Sequence, residues 1–248
     1  MITKKRTLKP VLGTIFTLGS PQVAEIIAQS GFGWVLIDME HSILSLESAQ
    51  TAIQVMGDNI IKIIRVPGND EIWIKRVLDT GCDGILIPMI KSAEEAERAV
   101  IASRYPVEGQ RSVGLTRAHR YGAGFKEYVS EANSNLIIMI QIEHVDGVRN
   151  IDSILRVKGI DSVFIGPYDL SASMGLTGEI DHPDVQASID LIKRKCRKAG
   201  LPYGIFGTDP VNMSRELVDG CTYLLCGIDT AILCSSYKDI LKKINKQR

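Results

Sequence analysis

Residues 60–88 read IIKIIRVPGNDEIWIKRVLDTGCDGILIP and contain a complete strand–helix–strand pattern. Two short runs rich in Ile, Ile60–Arg65 and Gly84–Pro88, flank a segment whose apolar residues recur at helical spacing, Glu71–Thr80. Asp70 precedes this segment as a helix N-cap does, and a glycine follows it as at many helix ends. Because the two runs are apolar at nearly every position, they predict parallel strands that are buried on both faces and joined by a helix.

The same unit recurs along the whole chain. Short apolar runs rich in Ile and Val alternate with longer segments of helical period. The predicted strands are Val11–Phe16, Trp34–Asp38, Ile60–Arg65, Gly84–Pro88, Leu136–Ile142, Ser162–Ile165, Tyr203–Phe206 and Thr222–Cys226. The predicted helices are Pro21–Ser30, Leu46–Met56, Glu71–Thr80, Ala93–Ser103, Val148–Leu155, Val185–Ala199, Pro210–Val218 and Thr230–Ile244.

Eight strand–helix units in a chain of 248 residues predict an α/β protein in which one closed (β/α)₈ barrel occupies residues 1–248. An open, doubly wound sheet would also alternate strands with helices, but such a sheet usually has fewer strands at this length. It would also place a G-x-G-x-x-G motif after the first strand, and the sequence has none there. The barrel is therefore the favoured fold.

One connection in this barrel is much longer than the others. Residues 105–135 separate the fourth predicted helix from the fifth predicted strand, and Phe125–Glu131 within them is a candidate helix. Connections of this length commonly form functional lids or contain extra helices. The insertion is locally basic at Arg111, Arg117, His119 and Arg120. They could gather an anionic substrate, or they could belong to a solvated loop or a subunit contact.

Charge and cysteine content narrow the class of protein. The chain has 29 Lys and Arg residues against 29 Asp and Glu residues. Binding to nucleic acid or to an anionic membrane usually requires an excess of positive charge, so we expect a small-molecule partner and neither of these surfaces. No run approaches the roughly 18 apolar residues that a membrane helix needs. The five cysteines lack the spacing of a zinc site or a disulfide framework, which favours reduced thiols in a cytoplasmic protein.

Polar residues follow several predicted strands at the point where each strand ends. In (β/α)₈ barrels the active site lies at the C-terminal ends of the strands. The first polar residues at these ends are Asp38, Glu40 and His41, then Arg65, then Gln141, Glu143 and His144, then Tyr168 and Asp169. Four different strands therefore bring acids, a base and a cation to one rim, which predicts a site there.

Glu143 and Asp169 are the candidate metal ligands. Two carboxylates brought together from neighbouring strands repel each other, and one of them takes up a proton unless a divalent cation satisfies both. With only two protein ligands, most of the coordination sphere stays open to water and substrate, which suits Lewis-acid catalysis. Alternatively, both are ordinary strand-end carboxylates that cap helices or pair with Arg149 or Arg111.

His41, Arg65 and Asp79 are the candidate catalytic residues. An imidazole such as that of His41 can act as a general base if a carboxylate orients it, or it can simply bond to the backbone at the rim. Arg65 closes a buried strand and needs an anion. That anion is either part of the substrate, as a carboxylate or a developing enolate, or it is the side chain of Glu40 or Asp38 in an ion pair. Asp79 needs a compensating partner unless it is exposed, because the helix dipole disfavours a negative charge near a helix C-terminus.

Six segments together form a recognisable pattern. They are Ser20-Pro21 with Ala24-Glu25-Ile26, Gly31-Phe32 with residues 34–42 (WVLIDMEHS), Arg65-Val66-Pro67, Leu78-Asp79 with Gly81, Gln141-Ile142-Glu143, and residues 164–171 (FIGPYDLS). This pattern resembles the HpcH/HpaI family of class II 2-oxo acid aldolases, and the resemblance runs from about Val11 to Asp229. The order and spacing of the Glu-His, Gln-x-Glu and Gly-Pro-x-Asp-Leu-Ser elements make it specific.

The resemblance implies a (β/α)₈ barrel of the phosphoenolpyruvate/pyruvate superfamily that cleaves or forms a carbon–carbon bond next to a 2-oxo acid. The family's cofactor would be a divalent metal, Mg²⁺, Mn²⁺ or Co²⁺. The family's roles fall on Glu143 and Asp169 as metal ligands, His41 as base, Arg65 as enolate-stabilising cation, Asp79 as the residue that orients the base, Gln141 as a substrate contact, and the backbone at Tyr168 and Asp169 as the site of the pyruvate carboxylate.

Relatives are typically hexamers in which the last helix packs on a neighbouring subunit. The resemblance therefore implies a homo-oligomer, with the helix at about residues 230–244 at a subunit contact. The sequence departs from the family pattern at Gly33, Val107 and His144, beside the residues that meet the second substrate. These departures leave the 2-oxo acid half of the site intact and leave the second substrate open.

Three functions are compatible with this pattern. The first is a metal-dependent aldolase that cleaves a 4-hydroxy-2-oxo acid to pyruvate and an aldehyde. The second is a citrate synthase-like transferase that condenses acetyl-CoA with oxaloacetate, as in the metal-independent siderophore branch of the family. The third is a barrel that binds a 2-oxo acid without catalysis, which the presence of a candidate base argues against.

Overall fold

The computed structural model describes residues 9–245 and contains a closed barrel of eight parallel strands. The strands are β1 (Val11–Phe16), β2 (Trp34–Asp38), β3 (Ile61–Arg65), β4 (Gly84–Ile87), β5 (Ile137–Ile142), β6 (Ser162–Ile165), β7 (Tyr203–Gly207) and β8 (Tyr223–Ile228). Each strand pairs with the next along the chain, and β8 pairs with β1 to close the barrel. The predicted (β/α)₈ fold is therefore confirmed, with strand bounds within two residues of those expected.

Helices connect the strands around the outside of the barrel. They are α1 (Pro21–Gln29), α2 (Leu46–Met56), α3 (Glu71–Asp79), α4 (Ala93–Ser103), α5 (Phe125–Asn135), α6 (Val145–Arg149), α7 (Ile151–Ile154), α8 (Pro167–Ser173), α9 (Pro183–Ala199), α10 (Pro210–Val218) and α11 (Asp229–Asn245). A 3₁₀ segment, Arg117–Gly122, precedes α5 in the insertion. In the part of the chain that the structure describes, no helix is long and apolar enough to cross a membrane.

The helices differ from the sequence prediction in three places. The single helix predicted over Val148–Leu155 is instead two short helices that meet at Asn150, whose side-chain amide donates to the carbonyl oxygen of Lys91. The insertion helix continues four residues beyond the predicted Phe125–Glu131. A short helix that begins at Pro167 was not predicted, because the segment directly after a strand was interpreted only as a strand end.

Large side chains fill the barrel interior. Trp34 makes edge contacts with the rings of Phe164 and Tyr223, at centroid distances of 6.2 and 5.6 Å. Its indole N–H donates to two main-chain carbonyl oxygens. Gly13 leaves room for this ring, since a Cβ at that position would lie 2.5 Å from it. The interior is therefore packed and does not form a pore, so a ligand can enter only at an end of the barrel.

The interior rows of side chains lead directly to the predicted site. Successive residues of a strand point to opposite faces, so every second residue faces the interior. Apolar interior residues are followed two positions later by polar residues: Leu36 by Asp38, Ile63 by Arg65, and Met139 by Gln141. The site residues therefore form the last interior layer of the barrel at the C-terminal ends of the strands.

Candidate active site at the C-terminal ends of the strands

A cavity of about 510 Å³ opens at the C-terminal ends of the strands. Five of the predicted site residues line it, namely His41, Arg65, Gln141, Tyr168 and Asp169. Glu143 is 1% exposed and lies directly behind this lining, where its Oε2 accepts a hydrogen bond from Nε2 of Gln141 at 2.5 Å. Asp79 instead lines a second cleft, between α2, α3 and the 3₁₀ segment. The structure thus brings six of the seven predicted residues together.

Arg65 is held by two carboxylates. Its Nε and Nη2 donate to the two carboxylate oxygens of Asp38 at 2.8 and 2.6 Å, and its Nε lies 3.3 Å from Oε2 of Glu40. Burial opposes ionisation of Asp38, but the hydrogen bond and charge of Arg65 outweigh it and lower the pKa of Asp38. Both ion pairs that the sequence left as alternatives are present, and they fix the guanidinium plane in the cavity wall.

Asp38 also organises the loop that carries His41. Its Oδ1 accepts from the main-chain N–H groups of Glu40 and His41, at 3.1 and 3.3 Å, and the Ser42 hydroxyl donates to its carbonyl oxygen. The side chain of His41 is 60% exposed, and its Nε2 lies 3.7 Å from Oε2 of Glu40. The imidazole therefore stands at the cavity mouth beside a carboxylate, although that carboxylate is not Asp79.

Glu143 is positioned from two sides. Besides the bond from Gln141, its Oε1 accepts from the main-chain N–H of Met89 at 2.8 Å. Met89 has a φ of +60°, a conformation that costs free energy for a residue other than glycine and that commonly occurs at functional sites. Gly166 is also required here, because a Cβ at that position would lie 2.7 Å from Oε2 of Glu143. The backbone around this carboxylate is thus shaped to accommodate it.

Four carboxylates, Asp38, Glu40, Glu143 and Asp169, share the site with the guanidinium of Arg65. Burial raises the pKa of Glu143 to about 7, and the charges of Glu40 and Asp169 add to this effect. The pKa of Glu40 is also raised, by burial first and then by the charges of Asp38 and Asp169. So many carboxylates around one arginine leave an excess of negative charge in the site, which a divalent cation would relieve.

The donor atoms fit a hard divalent cation. Glu143 and Asp169 offer carboxylate oxygens, and the amide oxygen of Gln141 is buried without a hydrogen-bond partner among the described residues. Over residues 9–245, no group of three or more His, Cys, Asp or Glu side chains is arranged to hold a metal ion. A cation here would therefore have few protein ligands and would take the others from water or substrate, as Mg²⁺ commonly does.

Asp79 has a partner other than His41. Nη2 of Arg111 donates to Oδ1 of Asp79 at 2.9 Å, and Arg111 also bonds to the hydroxyl of Tyr128 and stacks on the ring of Tyr105, 4.5 Å from its centroid. Arg111 of the insertion thus supplies the compensating charge that Asp79 was predicted to need. Within one chain, the structure does not bring Asp79 to His41.

Most of the basic residues predicted in the insertion bond either to α3 or within the insertion. Arg117 donates to the carbonyl oxygen of Thr80 at the end of α3. Both ring nitrogens of the buried His119 bond to main-chain groups of the insertion. Arg120 is exposed. The polar groups of Arg111, Arg117 and His119 are thus engaged in bonds within the chain, which favours a structural role for these three residues over the gathering of an anionic substrate.

Asp229 is a positioning residue that the sequence analysis missed. It follows β8, is 5% exposed, and accepts from the N–H groups of Thr17, Leu18 and Thr230 and from the Thr17 hydroxyl. It thereby ties the loop after β1 to the end of β8 and fixes one wall of the cavity. Its position directly after the last strand was the available signal, since the same rule located the other site residues.

The sequence matches the family model described as HpcH/HpaI aldolase/citrate lyase over residues 14–236. A hydroxypyruvate/pyruvate aldolase of Pseudomonas aeruginosa is 38% identical over 235 residues, which cover 92% of this chain and 86% of that protein. A 4-hydroxy-2-oxo-heptane-1,7-dioate aldolase of Escherichia coli is 36% identical over 242 residues, which cover 96% of this chain and 92% of that protein.

Solved structures show the same relationship. An HpcH/HpaI aldolase/citrate lyase family protein from Burkholderia cenocepacia superimposes with a TM-score of 0.93 at 28% identity, over 97% of this chain and 96% of that one. The citrate synthase SbnG superimposes with a TM-score of 0.88 at 26% identity, over 97% of this chain and 95% of that one. Since the family model covers most of the sequence and curated relatives exceed 30% identity over nearly its full length, the chain belongs to the HpcH/HpaI aldolase/citrate lyase family.

Proposed function

We propose that this chain is a divalent-metal-dependent aldolase that cleaves a 4-hydroxy-2-oxo acid to pyruvate and an aldehyde, or joins them in the reverse direction. The observation that carries the proposal is the juxtaposition of buried Arg65 with the carboxylates Glu143 and Asp169 at one cavity. Both curated relatives are named as aldolases of 2-oxo acids. Cleavage of a 4-hydroxy-2-oxo acid between C3 and C4 gives pyruvate from the first three carbons.

Cleavage requires a base at one end of the bond and positive charge at the other. The base removes the proton of the 4-hydroxyl group, the C3–C4 bond breaks, and C4 becomes an aldehyde. The bonding electrons move toward the C2 oxygen to give an enolate, and protonation at C3 then gives pyruvate. The residues of the site supply groups for each of these needs.

Glu143 and Asp169 would hold the divalent cation, Mg²⁺, Mn²⁺ or Co²⁺. When bound there, the cation would supply Lewis-acid polarisation of the 2-oxo group. Glu143 is held ready for this role by the bonds from Met89 and Gln141, so its orientation requires no rearrangement. Gln141, Tyr168 and Asp169 also line the cavity where the 2-oxo acid would bind.

Arg65 would stabilise the developing negative charge at the C2 oxygen. Its guanidinium lines the cavity and is fixed by Asp38, so it can present a donor without moving. Such a preorganised donor in a buried site is worth more than the same donor in water. Asp38 therefore acts as a positioning residue for Arg65 in this proposal.

His41 would take the proton of the 4-hydroxyl group, because it lines the cavity mouth and has an imidazole suited to general base catalysis. The prediction that Asp79 orients His41 requires Asp79 of a second copy of the chain, since Asp79 of the same chain pairs with Arg111 in another cleft. Within one chain, Glu40 is the carboxylate nearest to the imidazole in the described contacts.

The last helix supports assembly into a homo-oligomer, which we propose to be a hexamer. Apolar side chains of α11 are 40–65% exposed on a single chain, and they are Ile232, Leu233, Tyr237, Ile240, Leu241 and Ile244. Exposed apolar patches of this kind usually mark a protein contact. A neighbouring subunit would cover them.

The proposed activity is tested by pyruvate release from a 4-hydroxy-2-oxo acid, measured with a coupled lactate dehydrogenase assay. We expect release that is lost in EDTA and restored by Mg²⁺, Mn²⁺ or Co²⁺. Absence of pyruvate release with all three cations would contradict the proposal.

The similarity to SbnG favours one second candidate, a citrate synthase-like condensation of acetyl-CoA with oxaloacetate. That reaction releases free thiol from acetyl-CoA, which a thiol reagent detects. Free thiol formed without added metal, together with no pyruvate release, would support this candidate over the aldolase.

A further inference from the structure

The last strand of the barrel passes directly into the last helix. β8 ends at Ile228 and α11 begins at Asp229, so no loop separates them. Ile228 and Thr230, the two neighbours of Asp229 in the chain, both line the cavity. Together with Thr17 and Leu18 of the loop after β1, they form the β1–β8 wall of the cavity. The first turn of α11 is therefore part of this wall.

Asp229 joins the two parts of the β1–β8 wall. Its Oδ2 accepts hydrogen bonds from the main-chain N–H groups of Thr17 and Leu18, at 2.8 and 3.0 Å. Its Oδ1 accepts from the Thr17 hydroxyl at 2.5 Å and from the N–H of Thr230 at 2.8 Å. Asp229 is 5% exposed, and hydrogen bonds to a buried carboxylate are strong. A change in the direction of α11 would therefore move the loop after β1 or break these bonds.

Beyond Asp229, α11 is exposed over its whole length on a single chain, from residue 230 to residue 245. Its large apolar side chains recur at helical spacing and form one apolar stripe, which consists of Ile232, Leu233, Tyr237, Ile240, Leu241 and Ile244. In the proposed function, a second copy of the chain covers this stripe. The neighbouring subunit then sets the direction of α11 together with the bonds of Asp229.

The β1–β8 wall faces the space for the second substrate. In a closed barrel of eight strands, β1 and β5 are four positions apart, so their ends face each other across the cavity. In the proposed function the 2-oxo acid binds at Gln141 and Asp169, which follow β5 and β6. The cavity of about 510 Å³ is larger than pyruvate alone requires. The aldehyde would therefore occupy the space that Thr17 and Leu18 border.

We infer that docking of α11 on a neighbouring subunit positions the β1–β8 wall through Asp229, so that binding of the second substrate depends on assembly. The inference rests on the proposed function. A docked α11 limits the positions available to the loop after β1, so the aldehyde does not have to order this loop when it binds. Asp229 is thus a positioning residue that acts through Thr17 and Leu18.

Amide hydrogen exchange at Thr17 and Leu18, followed by mass spectrometry, tests the link without any activity. Ile240→Glu combined with Leu241→Glu places two charges in the apolar stripe and should separate the subunits. Size-exclusion chromatography with light scattering measures this separation. Exchange at both amides should then become faster by about threefold or more, because α11 no longer holds a fixed direction.

A matched control makes the same change in net charge on the other side of the helix. Ser235→Glu combined with Lys242→Gln alters two exposed residues that lie opposite the apolar stripe. It should change neither the assembly nor the exchange at the two amides. A single-chain unmodified protein, or subunits that stay together after the change in the stripe, would overturn the docking of α11. Unchanged amide exchange in separated subunits would overturn the link to the wall.

Asp229→Asn breaks the link and leaves the apolar stripe intact. The amide nitrogen of Asn cannot accept a hydrogen bond, so exchange at Thr17 and Leu18 should become faster by about tenfold while the subunits stay assembled. Adding the two changes in the stripe should accelerate exchange no further, since both variants break one connection. A multiplied effect would mean that the neighbouring subunit contacts the loop directly, which would overturn the role of Asp229. Thr17→Val, which removes only the hydroxyl bond, should give the same pattern to a smaller degree and replaces Asp229→Asn if that protein does not fold.

Steady-state kinetics test the consequence for the second substrate. They use the assembled Asp229→Asn protein, because separated subunits would also lose Asp79 of the second copy. Pyruvate is condensed with 4-oxobutanoate or glycolaldehyde, whichever reacts faster with the unmodified protein, in the presence of Mg²⁺ or Mn²⁺. The KM for the aldehyde should rise by about threefold to tenfold, with a smaller change in kcat. A fall in kcat with an unchanged KM would overturn the inference about substrate binding.

Exchange of the methyl protons of pyruvate with D₂O, followed by proton NMR, separates this inference from the proposed function. Enolate formation causes this exchange and needs no aldehyde. Exchange together with an unchanged KM for the aldehyde in Asp229→Asn overturns only the inference. Absence of exchange and of condensation in the unmodified protein overturns the proposed function, whereas amide exchange at Thr17 and Leu18 still decides whether α11 holds the wall.

Discussion

The rim of the barrel has a charged half at the ends of β2, β3, β5 and β6 and an uncharged half at the ends of β7, β8 and β1. The two halves are built by different interactions. In the charged half, buried polar groups hold one another: Asp38 fixes Arg65 and the loop of His41, and Glu143 is fixed by two donors. In the uncharged half, apolar side chains form the cavity wall, and the one buried carboxylate, Asp229, is fully engaged in holding a loop. The charged half therefore carries the groups proposed for the reaction, and the uncharged half determines the shape of the cavity wall.

This difference predicts different responses to substitution. A buried ionic group that loses its partner is left with an uncompensated charge, so single changes in the charged half should have large effects. The uncharged half acts through packing and shape, where single changes cost less and alter substrate preference more than rate. The following substitutions test this contrast.

The largest effect should come from replacing both candidate metal ligands. Glu143→Ala combined with Asp169→Ala should abolish divalent-cation binding in calorimetry and abolish cleavage, because the site loses its anionic ligands. As a control, Glu25→Gln combined with Asp184→Asn removes two exposed carboxylates and should leave cation binding intact. Unchanged cation affinity in the first variant would refute the assignment of the site.

His41→Ala should lose cleavage by about 10²–10⁴-fold, as expected for a missing general base. Cation affinity and pyruvate affinity should persist, because the exposed imidazole contacts neither candidate ligand in the described structure. Both affinities can be measured by calorimetry beside the rate of cleavage. A proportional loss of pyruvate or cation binding would mean that His41 holds the site together instead of transferring a proton.

Arg65→Lys should reduce kcat by about 10²–10³-fold although the positive charge is kept. Lys lacks the planar pair of donors that Arg65 presents to Asp38, so the charge would no longer be fixed in the cavity wall. Steady-state kinetics check this, with the exposed Arg149→Lys as control. A kcat close to that of the unmodified protein would assign Arg65 to structure or to uniform substrate binding.

Asp38→Asn should lower the free energy of unfolding at pH 7 by about 3 kcal/mol, because Arg65 stays buried with less compensation. The pKa of Asp38 is lower in the folded protein than its ordinary value of 3.8. The stabilisation by its carboxylate is therefore fully present above the ordinary pKa and is lost as the pH falls through the lower pKa of the folded state. Urea unfolding of both proteins should therefore converge at acidic pH. Asp146→Asn, which breaks an exposed pair with Arg149, should cost less than about 1 kcal/mol.

The smallest effect is expected in the uncharged half. Asp229→Asn should cost about 1–3 kcal/mol of unfolding free energy, because the amide nitrogen cannot accept from the N–H groups of Thr17 and Leu18. The loosened wall should raise the KM for the aldehyde more than the KM for pyruvate. Asp209→Asn, an exposed helix cap outside the cavity, is the matched control. An equal rise in both KM values would contradict the division of the rim.

The sequence predicted the barrel and most of the candidate site because both depend on local patterns. A buried parallel strand is visible as an apolar run, and the rule that active sites lie at the C-terminal ends of barrel strands then selects the next polar residues. His41, Arg65, Gln141, Tyr168 and Asp169 were found in this way and line one cavity. The short helix α7 was not separated from α6, and α8 was not predicted, because one or two turns of helix have too little periodicity to detect.

The sequence by itself determined the number and order of the strands and the residue types at their ends, because hydrophobic periodicity acts over a few neighbouring residues. The tertiary structure alone decided which charges meet: Arg65 with Asp38 across adjacent strands, Asp79 with Arg111 of the insertion, and Asp229 with a loop that precedes it by 212 residues. These contacts depend on strand register, on closure of the barrel and on the path of the insertion. Such distances between remote residues follow from the packing of the whole chain and leave no local pattern in the sequence.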